Sequence, residues 1–186
     1  MASSAVIVRH GATEWSVSGQ HTSDTDLPLL PEGEDTARSL APRLAGGDFA
    51  EVLSSPLKRA RHTAELAGFP DAELLDDLVE WRYGSAEGRT TAEIRETLPD
   101  WSLWTHPTEG AETAAEVAAR CDRVVERIRA ASGPVLVFAH GHVLRVLTAR
   151  WLGLPAQEGR LFRLETATIS ELGYERETPV LLRWNS

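Results

Sequence analysis

His10 and His140 are each followed by glycine, and each ends a short apolar run: Ala5-Val6-Ile7-Val8 with Arg9 before the first histidine, and residues 135–139 before the second. An imidazole with a reference pKa of about 6.5 is substantially neutral near physiological pH, so such a ring can act as nucleophile, base or acid. Arg9 stands beside the first ring, and Arg59 follows a serine-proline turn further along. Together these four side chains concentrate positive charge in a chain whose formal net charge is −9. That balance disfavours a general nucleic-acid or anionic-membrane surface and leaves room for an anionic small molecule. A single histidine is more often a hydrogen-bonded structural residue than a reacting one. Two strand-His-Gly junctions flanked by arginines reverse that expectation. His140 and His142 are close enough to suggest a metal, but no carboxylate-rich motif accompanies them and the arginines would repel a cation, so neither metal nor cofactor is expected.

The elements that must hold these groups follow from periodicity. Both apolar runs read as strands buried on two faces. If they lie parallel in one open sheet, both histidines emerge at its carboxyl edge, where ligands of α/β folds bind. Residues 12–30 are polar and turn-rich and read as a loop, with the Thr22 hydroxyl and nearby N–H groups offered to a phosphate. Pro31 opens a helix to about Ala45, with Pro42 expected to kink it or end it early. A strand over 51–54 leads to Ser55 as N-cap and Pro56 as first helical residue. Arg59 and Arg61 then point to nearly opposite sides, and Arg59 is the one nearer the strand end.

Residues 74–79 read as a short strand or extended segment, and Gly84 and Gly88 bracket a loop that could carry Glu80 over a pocket. A short helix is expected over 90–98, ended by Pro99. Trp101 and Trp104 at helical spacing read first as packing residues and second as a roof, together with His106. The stripe Ala114, Val117, Ala118, Cys121, Val124, Val125 and Ile128 predicts a long amphipathic helix. Cys121, the single cysteine, lies on that stripe and reads as a buried small hydrophobe. After Gly141 another helix runs to Gly153, and β-like runs at 161–164, 167–172 and 180–184 extend the sheet at an edge. At 186 residues the chain suits one domain, 1–186, with a small cap-like insertion around 85–110. An amino terminus without a basic region or long apolar run, and no stretch of membrane-spanning length, make the cytoplasm the expected compartment.

The set Arg9-His10-Gly11, Ser54-Ser55-Pro56-Leu57-Lys58-Arg59-Ala60, Glu80 within Glu80-Trp81-Arg82-Tyr83-Gly84, and His140-Gly141-His142 resembles the histidine phosphatase superfamily, which includes the cofactor-dependent phosphoglycerate mutases and many acid phosphatases. The similarity runs from Val6 to about Leu154. It implies a three-layer αβα sandwich with a mostly parallel sheet. It also implies His10 as the nucleophile that becomes phosphorylated, Arg9, Arg59 and His140 as the positive pocket, and Glu80 as proton donor. Gly11, Thr22 and Gly141 would lie in the phosphate-binding shell. Ser16, where the mutases usually carry asparagine, would join the substrate-binding residues, and Ala12 replaces a frequent glutamate. The compact interval between Glu80 and His140 implies a more open site than a mutase has, favouring hydrolysis. The segments around Trp81-Arg82-Tyr83-Gly84-Ser85 and Asp100–His106 resemble those of actinobacterial acid phosphatases more than those of the mutases. The implied activity is metal-independent hydrolysis of a small phosphomonoester through a phosphohistidine, with an acidic to mildly acidic optimum. The alternatives are a phosphoglycerate mutase or a catalytically silent phospho-ligand binding module. A homodimer stands open.

Overall fold

The computed structural model describes residues 3–186; Met1 and Ala2, which enter the reading of the amino terminus, lie outside them. The run Val135–Ala139 forms β4, buried at every position, and Ala5–Arg9 forms β1. The two pair in parallel with Arg9 beside Ala139, so His10 and His140 leave adjacent strands at the same end. Successive side chains of β4 enter opposite cores: Val135, Val137 and Ala139 one, Leu136 and Phe138 the other. Both faces are dry because helices cover both, which is why the strand reads as an unbroken apolar run.

On the far edge of β4 lies β2 (Glu51–Ser54), followed by the two-residue β3 (Glu73–Leu74). On the far edge of β1 lie β5 (Ile169–Glu175) and β6 (Thr178–Arg183). The order is β3-β2-β4-β1-β5-β6, and only β5 runs against the others. One face is covered by α2 (Pro31–Leu44) and α3 (Lys58–Leu66), which contribute Leu40, Leu44 and Ala64 to its core. The other is covered by α5 (Ala114–Ala130) and α6 (Gly141–Trp151), with Val117, Cys121, Val124, Leu144 and Leu147. This is the three-layer α/β arrangement expected. No helix among the described residues is long and apolar enough to cross a membrane.

Several local expectations are corrected. Pro42 does not end α2 early: the helix continues to Leu44 and closes with Ala45 N–H on Ala41 O. So near the C-terminus proline removes a single backbone bond, and buried Leu40 and Leu44 hold the last turn. Ser55 is not an N-cap. Its N–H extends the strand pairing to Phe138 O, α3 starts three residues later at Lys58, and Asp26 Oδ1 accepts the Lys58 N–H at 2.8 Å. Residues 12–30 contain a five-residue helix, α1 (Glu14–Ser18), closed by a Thr13–Ser16 capping box. Residues 76–78 form a 3₁₀ turn instead of continuing as strand, and the helix expected over 90–98 is the shorter α4 (Thr91–Arg95). The run at 161–164 is no strand: a 3₁₀ segment, Ala156–Leu161, ends there, and the Leu164 carbonyl accepts from Arg9 Nη1 at 2.6 Å.

Gly11 has a different task from the one its position suggests. Its backbone packs on that of Gly33 in the first turn of α2, and a Cβ on either glycine would overlap the other strand of this contact, Gly33 O or Ala12 O. Glycine to alanine inside a helix ordinarily gains about 1 kcal/mol. Here the clash is with backbone and outweighs it: Gly33→Ala is expected to destabilise by about 1–3 kcal/mol in urea denaturation, and a stabilised variant would contradict this contact.

Candidate active site

His10 follows β1, 5% exposed, with its N–H on Ala139 O. Its Nδ1 lies 2.7 Å from the Gly11 carbonyl, which can only accept, so Nδ1 carries the hydrogen and Nε2 holds the lone pair. Burial, and then the cations Arg9 and Arg59, hold this ring well below the usual histidine range, so it is neutral. Its ring centroid is 5.2 Å from that of His140. His140 is likewise held well below the usual range, by burial first and then by Arg59. Its Nδ1 accepts from Arg59 Nε at 3.1 Å and its Nε2 lies 2.7 Å from Ser55 Oγ. The third cation that His140 could have supplied is therefore missing, because an Arg59 donor occupies one nitrogen.

Arg59 is fully buried. Its Nη1 donates to Thr25 O and its Nη2 to Thr22 O and Ser23 O, at 3.0–3.3 Å. The same loop gives the Ser23 and Thr25 N–H groups to the Glu87 carboxylate. Loop carbonyls thus meet a cation and loop amides an anion, which fixes residues 22–25 without secondary structure. Thr63 Oγ1 ties α3 to β1 by accepting from Gly11 N at 3.0 Å and donating to Arg59 O at 2.7 Å. The Gly11 N–H is therefore committed to Thr63.

Arg9 Nη1 is held by Leu164 O, while its buried Nε has no partner. The guanidinium lies over Gly141, where a Cβ would come within 3.3 Å of Cζ and Nε. Glu80, 6% exposed, accepts three backbone N–H groups: Trp81 and Val143 on Oε1 at 2.8 Å, His142 on Oε2 at 3.0 Å. Two of these belong to the first turn of α6, whose own N-cap residue His140 offers no side-chain bond. The carboxylate thus sits at the positive end of that helix.

A cavity of about 270 Å³ opens here, lined by Arg9, His10, Ser16, Thr22, Glu80 and Gly141. Of the remaining expected residues, Gly11, Arg59 and His140 lie off its lining. The Ser16 hydroxyl donates to Thr13 O and that of Thr22 to Gln20 O at 3.2 Å, so both hydroxyl protons serve the loop. Sequence reasoning missed His21, Tyr83, His142 and Arg145 in this wall. Tyr83 Oη and His142 Nδ1 are 2.7 Å apart, and burial raises the Tyr83 pKa well above the usual phenol range. His142 and Arg145, three apart just after Gly141, share one face of α6, a spacing that could have flagged them. Trp104 stays off this wall and packs on Trp81 and His142. Trp101 is buried beside His21, and His106 is exposed. No group of three or more His, Cys, Asp or Glu placed to hold a metal ion occurs among the described residues.

Fold and site together define an α/β enzyme built around a histidine with cationic neighbours at the carboxyl edge of its sheet. The chain belongs to the histidine phosphatase superfamily, whose branch 1 matches residues 5–186. It is 41% identical over 175 residues to an acid phosphatase of Mycobacterium tuberculosis, covering 91% of this chain and 86% of that one. It is 36% identical to sedoheptulose 1,7-bisphosphatase of Saccharomyces cerevisiae, covering 82% of this chain and 69% of that one. The solved structure of a Mycobacterium tuberculosis open reading frame product superposes with a TM-score of 0.92 at 36% identity, covering 98% and 97% of the two chains.

Proposed function

We propose that this protein is a metal-independent phosphomonoesterase that acts on a small phosphorylated metabolite through a phosphohistidine at His10. The observation that carries this reading is the His10 tautomer: a neutral ring in the cavity wall whose Nδ1–H is held by Gly11 O, leaving Nε2 as nucleophile. Nε2 attacks phosphorus, the ester P–O bond breaks, and the leaving oxygen takes its proton from Glu80. The ionised Glu80 then takes a proton from water, whose oxygen attacks phosphorus as the P–N bond breaks, releasing inorganic phosphate and restoring His10. Charge on the equatorial oxygens calls for fixed donors. The Arg9 guanidinium in the cavity wall is one such donor, while Arg59 acts on His140 Nδ1 and through it on the site. Because His10 stays neutral well below pH 6.5, the nucleophile remains competent in mildly acidic solution. Residues around 85–110, which bring Thr91 to the cavity wall, act in this reading as a small cap-like insertion in a single domain.

The test is product analysis with excess EDTA present. Expected are phosphate release from p-nitrophenyl phosphate and inorganic phosphate from 3-phosphoglycerate. Formation of 2-phosphoglycerate in place of phosphate would make the protein a mutase, and no turnover of either compound would make it a binding module.

A further inference from the structure

Glu80 is gripped from two helices: α6 binds its side chain and α5 binds its backbone. A carboxylate offers about four lone-pair positions. The Trp81 and Val143 N–H groups take both on Oε1, and the His142 N–H takes one on Oε2. The open position for a transferable proton is therefore on Oε2. With the carboxylate fixed in this way, the place of that proton follows the backbone at residue 80.

That backbone leaves the 3₁₀ turn at residues 76–78 and joins no strand before Tyr83, so its carbonyls need donors from elsewhere. Arg120 of α5, 6% exposed, supplies them. Its Nη1 donates to Asp77 O at 2.9 Å and Val79 O at 2.7 Å, and its Nη2 to Glu80 O at 3.2 Å. The remaining N–H groups go to Glu112, Nε to Oε1 at 3.1 Å and Nη2 to Oε2 at 3.0 Å. Every donor of the guanidinium fork is thereby used. Glu112 continues the grip beyond Glu80. Its Oε2 accepts the Arg82 N–H at 2.8 Å, its own N–H donates to Arg82 O at 3.0 Å, and its carbonyl accepts from Trp81 Nε1 at 2.8 Å. Neither Arg120 nor Glu112 lines the cavity. A buried ion pair is a weak source of stability, and apolar side chains could fill the same volume. What they could not do is hold the peptides on either side of Glu80.

We propose that Arg120, paired with Glu112, is a positioning residue for Glu80, fixing the peptide from which the carboxyl group reaches the leaving oxygen. This rests on the reading of Glu80 as proton donor. A shift of about 1 Å at a reacting group costs on the order of a hundredfold in rate.

The experiment varies the leaving group. p-Nitrophenolate is stable as an anion and departs with little need of a proton, whereas the alkoxide of glycerol 3-phosphate needs one. The constant kcat/KM covers the steps up to formation of the phosphoenzyme, so the second use of Glu80, on water, does not enter it. Glu80→Gln is expected to lose about a hundredfold or more on glycerol 3-phosphate and far less on p-nitrophenyl phosphate. Arg120→Met is expected to show the same selectivity, about a hundredfold against less than about fivefold. Glu112→Gln, which keeps one accepting oxygen, is expected to fall between, about tenfold on glycerol 3-phosphate. Thermal melts accompany the kinetics, and Glu112→Gln carries the test where Arg120→Met does not fold. Equal losses on both substrates in a folded variant of the pair overturn the proposal, because a general loss of structure does not depend on the leaving group. Selectivity in Glu80→Gln alone overturns it as well and leaves Glu80 as the acid. No selectivity in Glu80→Gln removes the acid itself, and the pair then has nothing to position.

Discussion

His10→Ala is expected to lose at least about a thousand-fold in turnover of p-nitrophenyl phosphate, the scale seen when a covalent nucleophile is removed. The expectation follows from the ring's hydrogen bonding. Gly11 O takes the Nδ1 proton, so the only lone pair belongs to Nε2, and no serine or cysteine stands in the cavity wall as a substitute nucleophile except Ser16, whose hydroxyl is bound to Thr13. Brief reaction of the wild type with ³²P-labelled substrate, quenched in alkali, should leave label on protein that acid removes, and the variant should carry none. A thermal melt separates a dead enzyme from an unfolded one. Label retained by a folded His10→Ala would move the covalent step to another residue.

Arg59→Gln is expected to lower kcat/KM by about a hundred- to a thousand-fold, comparable to loss of a fixed donor in other active sites. Arg59 acts here by positioning: it holds His140 Nδ1 and the carbonyls of Thr22, Ser23 and Thr25. The pH profile tells this role from general damage. The cation disfavours imidazolium at both His10 and His140. Without it both rings take up protons more readily, so the acid limb of kcat/KM moves to higher pH, toward the ordinary histidine value of about 6.5. A lower rate with an unmoved limb would mean that Arg59 only maintains the fold. Stability should also fall by a few kcal/mol, since each buried carbonyl left without a donor costs about 1–3 kcal/mol.

What could be read from residues alone divides along physical lines. The two His-Gly junctions were legible because parallel strands covered on both faces must be apolar at every position. Helical spacing separated Arg59, which is buried, from Arg61, which is exposed. Glu80 was recognisable as a carboxylate near a pocket, but its grip on the first turn of α6 joins residues about sixty positions apart and leaves no local pattern. The run at 161–164 misled because short apolar stretches fit strand and 3₁₀ alike, and there Arg9 takes the Leu164 carbonyl that a neighbouring strand would need. Arg145 carries a signal in its helical spacing from His142, but its support by Trp104 and Gly159 comes from distant segments and leaves no local pattern.

The strand before His10 has neighbours on both sides, β4 and β5, while the Gly159 and Arg160 carbonyls that hold Arg145 belong to a 3₁₀ segment outside the sheet. Altering β1 disturbs strand pairing on two sides, whereas residues of a segment outside the sheet can be exchanged without breaking that pairing. In the proposed reading, exchanges in the peripheral wall change which compounds are accepted, while the proposed phosphoryl acceptor stays beside the central strands. Descendants of one ancestor could thus diverge in metabolic role without rebuilding their chemistry.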